Sequence, residues 1–289
     1  MKANYSYIYL AFFLLLNIFN FVDRNLLIAF APQIKSEFNL TNVQWGLLTG
    51  VYFLFFYSVF GILMGVLGDK FSRMKIAAAG VFLWSLMTAF TGVAKNFSHL
   101  IVARALIGVG ESALTPNAIS MLSDLFNQNK RGTASAIYYL GIPLGVGFGM
   151  LIAAFFGPVF GWRAVFITLG LIGMGLGIVT YFLLEPKRGQ LDVSFDEDNK
   201  SASIREIVSM TKHALYNSKC LTFAIIGSIF LHIPLGAGNF EVLWAVNERG
   251  FTASAYNFLF GIFFILGGTV GAVLGGVLSD RLSHYFKGG

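Results

Sequence analysis

The chain has 289 residues, of which 56% are hydrophobic and only 12% charged, with a mean hydropathy of +0.72. A soluble globular domain carries about 25% charged residues, so this composition excludes one and points to a lipid bilayer. The net charge of +6 invites a nucleic-acid reading, which the placement of the basic residues removes.

A spanning helix needs about 20 mostly apolar residues. Eight stretches qualify: 6–31, 44–66, 76–94, 99–126, 131–157, 162–184, 219–246 and 255–278. Membrane β-strands would be about 10 residues long and strictly alternating, a pattern the chain lacks, so the expected class is an all-α integral membrane protein. Loops on the N-terminal side of these helices carry 14 of the 20 Lys and Arg residues, whereas those on the other side carry only Lys35, Lys95, Arg163 and Arg249. The positive-inside rule then puts the N-terminus in the cytoplasm of a cell membrane, inner or plasma. The basic balance reports topology, and no nucleic-acid partner is expected.

The first helix has too long an apolar run for a signal peptide, and no small-residue cleavage site follows it. It contains the pair Asp23 and Arg24, costly inside a membrane and therefore candidates for function. The turn after helix 2, GVLGDKFSRMK at 65–75, must reverse two helices in few residues. Gly65 and Gly68 suit close backbone approach, Asp69 suits the N-terminus of the next helix, and Lys70 and Arg73 hold the turn on the basic side. Helix 4 carries Arg104 and Glu111, two turns apart and so on one face. Spacing at about 1.5 Å per residue places Arg104 near the depth of Asp23, which suggests an Asp23–Arg104 pair; a purely structural pair remains the plain alternative.

Helix 5 has Gly141, Gly145 and Gly149 in a doubled small-x-x-x-small stripe, and Pro143, which should bend it. The polar segment 185–218 divides a six-helix bundle, residues 1–184, from residues 219–289; its second half, SIREIVSMTKHAL, has helical spacing. In helix 7, His232 and Glu241 face different ways, and Glu241 belongs either to a cavity or to the outer rim. Helix 8 carries a second glycine stripe, Gly267, Gly271 and Gly275. Cys220 is the lone cysteine, which excludes an intrachain disulfide and a cysteine metal cluster. No P-loop, zinc-helix motif or nucleophile elbow occurs, so neither a cofactor nor a bound metal nor an enzyme is expected.

Thr41–Ser72 recurs without a gap as Thr252–Ser283, with Gly65, Leu67, Asp69 and Ser72 matched by Gly276, Leu278, Asp280 and Ser283. A parallel repeat in an apolar chain is typical of secondary transporters. Only two helices of the second copy are present, which predicts a six-helix bundle plus the first two helices of another and, with it, fragment behaviour. The loop pattern at 65–73, echoed by Asp280 and Arg281, resembles the cytoplasmic motif of the major facilitator superfamily. NFVDR at 20–24, RALIGVGESALTP at 104–116, GIPLGVGFG at 141–149 and GWRAVF at 161–166 look most like its bacterial spinster-like branch; organic anion:cation symporters carry similar segments.

That resemblance implies alternating access by two rocking bundles, monomeric when complete, that move a small-molecule or amphiphilic substrate. It implies that Asp23, Arg24, Arg104 and Glu111 line the cavity and couple transport to protons, and that the two glycine stripes meet between the bundles. Symport of an organic anion, with Arg24 or Arg104 binding its carboxylate, is the competing expectation.

Overall fold

The computed structural model describes residues 3–189 and 204–283, and among them every regular element is helical. Helix α1 (Ala3–Ala29) continues into the short α2 (Ala31–Glu37). Thr41 then opens α3 (Asn42–Gly46) through a capping box, accepting from the Gln44 backbone while the Gln44 side chain accepts from the Thr41 N–H, which satisfies two orphan donors. One π turn, Leu47–Val51, leads into α4 (Tyr52–Lys70). Ser72 caps α5 (Arg73–Gly92), and Asn96 caps α6 (Phe97–Glu111). Helices α7 (Leu114–Leu125), α8 (Gln128–Tyr139) and α9 (Gly141–Phe182) complete the first group.

Helix α9 is two spans. Gly161 has φ 75 and ψ 160, a conformation that suits glycine alone, and the chain reverses there. Gly141 and Gly149 lie on Asn17 and Val22, so the first span runs parallel to α1. Phe166 meets Phe30, and the Leu184 carbonyl accepts from Tyr9, so the second runs back along it. Next come α10 (Ile204–Asn217), α11 (Lys219–Ala237), a 3-10 turn at Gly238–Phe240, α12 (Glu241–Arg249) and α13 (Ala253–Ser283). Thr252 caps α13 through Ala255 N at 3.2 Å, as Thr41 caps α3 through Gln44 N at 3.2 Å. The sequence repeat is thus also a structural one.

All eight predicted stretches are helical; besides the single-residue turn at Phe30 between α1 and α2, three break. The breaks at Ser112–Ala113 and Leu140 fall one turn before Pro116 and Pro143, whose rings clash with the carbonyl four residues earlier and whose missing N–H removes the bond to it. Pro143 therefore does bend its helix. The third break follows Gly236–Ala237–Gly238, where glycines weaken the helix. Helix α10 matches the helical spacing read at SIREIVSMTKHAL. Residues 190–203, and the side chains of His232, Asp280 and Arg281, lie outside the described residues.

The helices pack around two apolar cores. One gathers Tyr9, Phe13, Leu16, Trp84, Met121 and Tyr138 near the N-terminal end. The other, at the opposite end, joins Leu26, Phe30, Trp45 and Phe166 to Val242 and Leu243 of α12, so both helix groups share it. Trp45 Nε1 also donates to the Asn239 carbonyl at 2.9 Å, and Asn257 Nδ2 to that of Ala29 at 3.0 Å. The end opposite the N-terminus is therefore closed. Along Asn42–Lys70 only 11% of the most apolar window is buried, against 61% for Phe97–Leu125; within this chain α4 is a peripheral helix, and α6–α7 a central one.

Candidate functional site

Between the two cores lies a band of buried polar side chains, among them Asn17, Asn20, Asp23, Thr88, Arg104 and Glu111. Consecutive residues of α1 point about 100° apart, so Asp23 and Arg24 turn to different neighbours. Asp23 Oδ2 accepts from Thr88 of α5 at 2.7 Å. Arg24 reaches α6 and pairs through Nε with Glu111 Oε2, the Arg24 side chain 21% exposed and that of Glu111 0%. Its guanidinium also stands over the rings of Phe53 and Tyr57, at 4.9 and 4.5 Å from their centroids. Arg104 shares Phe53, at 4.9 Å, and reaches the Arg24 carbonyl at 3.5 Å.

The expected Asp23–Arg104 ion pair is therefore corrected to Arg24–Glu111. Helical phase and the long Arg24 side chain decide it, and Arg104 stands over the Phe53 ring instead of beside a carboxylate. Among the described residues Asp23 Oδ1, Arg104 Nε and Glu111 Oε1 are buried without a hydrogen-bond partner. Two carboxylates and two guanidiniums give the cluster no net charge, but three of its polar atoms are unsatisfied. Each unpaired buried group costs about 1–3 kcal/mol. Phe53, Tyr57 and Thr88 escaped the sequence reading because an aromatic or Thr on an apolar helix carries no signal of its partner; only the π turn just before Phe53, a feature common at functional sites, marks the place, and it is invisible in sequence.

Beside the cluster lies a cavity of about 690 Å³ between α1, α9 and the 237–264 region. Asn25, Met150, Glu241, Trp244, Phe260 and Phe264 are among its walls. Glu241 thus belongs to the cavity and not to an outer rim, and its Oε1 accepts from Tyr256 at 2.6 Å.

The 65–75 turn is held differently from expectation. Arg73, buried, donates to Asp124 at 2.5 Å, to Glu185 at 2.9 Å and to the Pro186 carbonyl at 3.1 Å. Arg188 caps the carbonyls of Gly68 and Phe71 at 2.7 and 2.6 Å, and that of Asp69. Asp69 and Lys70 are exposed, and the N-terminus of α5 is capped by Ser72, which corrects the role read for Asp69. A Cβ on Gly68 would strike the Asn117 side chain, whereas one on Gly65 would meet nothing within 4 Å; of the two, only Gly68 is closely approached. At the opposite end, Trp162 and Arg163 of the GWR segment both bond Glu37, at 2.8 and 2.7 Å, and Arg163 also reaches the Gly92 and Ala94 carbonyls. The Arg163 bond holds the Glu37 carboxyl below its ordinary range.

The glycine stripes do not meet. Gly141, Gly145 and Gly149 pack on α1, and Gly267, Gly271 and Gly275 have nothing within 4 Å. The helices touch on the adjacent faces, where a Cβ on Gly147 would lie 2.7 Å from the Gly261 carbonyl and one on Gly268 would lie 2.5 Å from Pro143 Cβ. Of the expected contact residues, Pro143 alone is in this seam. The stripes were drawn by spacing, and spacing does not say which neighbour a face meets.

An all-helical chain with a charge cluster buried at mid-depth, beside a cavity at the seam of two helix groups, is a polytopic membrane protein of the two-bundle kind. The Major Facilitator Superfamily model matches residues 13–288, and the chain belongs to that superfamily. It is 27% identical to protein spinster of Drosophila melanogaster over 270 residues, 92% of this chain and 44% of that protein. To the sphingosine-1-phosphate transporter SPNS2 of Danio rerio it is 32% identical over 180 residues, 61% of this chain and 36% of the relative. The crystal structure of a bacterial homologue of the human lysosomal transporter spinster, inward-facing and unoccupied, superposes with TM-score 0.83 at 26% identity, covering 98% of this chain and 64% of that one. The chain thus spans well under two thirds of the length of these curated relatives.

Proposed function

We propose that this chain acts as a spinster-type secondary transporter, moving a small organic or amphiphilic solute by alternating access with protons as the coupling ion. One observation carries it: an electrically neutral but incompletely satisfied cluster of Asp23, Arg24, Arg104 and Glu111 beside a cavity between two helix groups. Protonating Glu111 removes the charge that holds Arg24. The guanidinium, the most exposed member of the cluster, is then free to repack toward the cavity. A proton therefore biases a two-state element, which is what coupling requires. The closed seam at Trp45–Asn239 corresponds to an inward-open arrangement if the N-terminus is cytoplasmic.

That orientation rests on the basic residues at the N-terminal end, including Arg73, Arg131 and Arg188. We take residues 1–184 as one bundle, 185–218 as a cytoplasmic linker and 219–289 as the start of the second bundle, in an inner or plasma membrane. In a Cys220→Ser background, a cysteine at 200 is expected to react with impermeant maleimide only after the membrane is opened; labelling of intact cells overturns the topology. For transport itself, proteoliposomes given a panel of labelled organic solutes should accumulate at least one of them more when an inward proton gradient is imposed. Accumulation that ignores the gradient removes proton coupling, and no accumulation of any solute removes the transporter reading.

A further inference from the structure

We propose that the cavity is a site for an organic cation with an apolar body, an ammonium-headed amphiphile, whose head is held at Glu241. This builds on the transporter reading and names its substrate class. Among the described lining residues there is one carboxylate, Glu241, and no Lys, Arg or His. Asn25 donates one N–H of its Nδ2 to the Phe21 carbonyl at 2.8 Å, and its side-chain carbonyl oxygen can accept from a ligand head. Glu241 is thus the one charged side chain among the described lining residues, and an anionic head would find repulsion there where a cation finds a partner.

The apolar half of the site is ordered. Tyr256, Phe260 and Phe264 follow at four-residue intervals on α13 and stack face to face, centroids 5.8 Å apart at 29° and then 5.3 Å apart at 23°. Eight residues of helix make this ladder about 12 Å long. Tyr256 heads it and donates to Glu241 Oε1 at 2.6 Å, so the carboxylate sits at one end of an aromatic wall. Aromatic faces attract ammonium groups, best when desolvated, and accept alkyl chains along the rest of their length. Trp244 already shows the first behaviour, with the Arg249 guanidinium 4.8 Å from its ring. The volume of about 690 Å³ falls in the usual range of small-molecule sites, roughly 300–1,000 Å³.

The test is isothermal titration of the protein in zwitterionic lipid nanodiscs, with empty discs as the blank, using octylammonium, octyl sulfonate and uncharged octyl glucoside. The ammonium should bind at least about tenfold more tightly than the sulfonate, the scale of one charge-assisted contact. Glu241→Gln should erase that preference and leave octyl glucoside unchanged, while Tyr256→Phe, which only frees the carboxylate, should preserve it. Equal binding of the two ions by the wild type, tighter binding of the sulfonate, or a preference that survives Glu241→Gln overturns the proposal, and the wild-type ratio decides without any variant. Binding is read with no gradient, so failure here with intact flux in proteoliposomes retires only the cationic site. Absent flux with the preference intact retires transport instead.

Discussion

Arg24→Ala is expected to destabilise the folded protein by about 3–5 kcal/mol, because it leaves Glu111 buried with no cation, and breaking a buried pair from one side costs that much. Glu111→Gln should be much milder. It removes the buried charge, and Arg24, one-fifth exposed and stacked on Phe53 and Tyr57, keeps partners of its own. The double variant Arg24→Ala with Glu111→Gln should therefore recover most of the stability lost in Arg24→Ala alone, which thermal unfolding in detergent measures directly. An independent sum of the two single effects, with no recovery, removes the pairing. Transport separates coupling from folding: Asp23→Asn and Glu111→Gln keep shape but cannot titrate, so each should flatten the dependence of uptake on external pH. If both retain the wild-type pH profile and accumulation, these carboxylates are structural.

The same cluster shows what a sequence discloses and what it withholds. Ionisable residues in an apolar helix stand out because burial is costly, and Asp23, Arg24, Arg104 and Glu111 do come together. Which carboxylate meets which arginine depends on helical phase and side-chain reach, and there the expectation failed. Spans were legible because hydropathy averages over 20 residues; their breaks were half legible, since Pro143 announced one, while the break ahead of Pro116 went unread. The loop motif announced itself by recurring, but the groups that hold it, Asp124, Glu185 and Arg188, lie far from the loop in sequence and resemble ordinary solvated charges. The cavity walls were least legible of all. Phe260 and Phe264 read as lipid-facing aromatics until Glu241 and Tyr256 are seen beside them.

Gly147→Leu is expected to abolish transport, and Gly271→Leu to leave it near wild type, although spacing alone would have ranked them the other way round. At Gly147 an added Cβ would lie 2.7 Å from the Gly261 carbonyl and 2.8 Å from Ile265 Cδ1, and backbone cannot step aside as a flexible side chain would. Overpacking of this kind costs about 1–3 kcal/mol, and here the cost falls on the seam between α9 and α13, along which the two helix groups would have to slide. At Gly271 nothing lies within 4 Å, so a side chain there projects into open space. Cysteines at 147 and 265 should cross-link with a short reagent, and cysteines at 145 and 271 should not, because Gly145 is pressed against Ile18 and Phe21 of α1. Efficient cross-linking of the second pair would restore the glycine stripes as the sliding surface. Full transport by Gly147→Leu would show that this seam does not need to stay closely packed for the carrier to turn over.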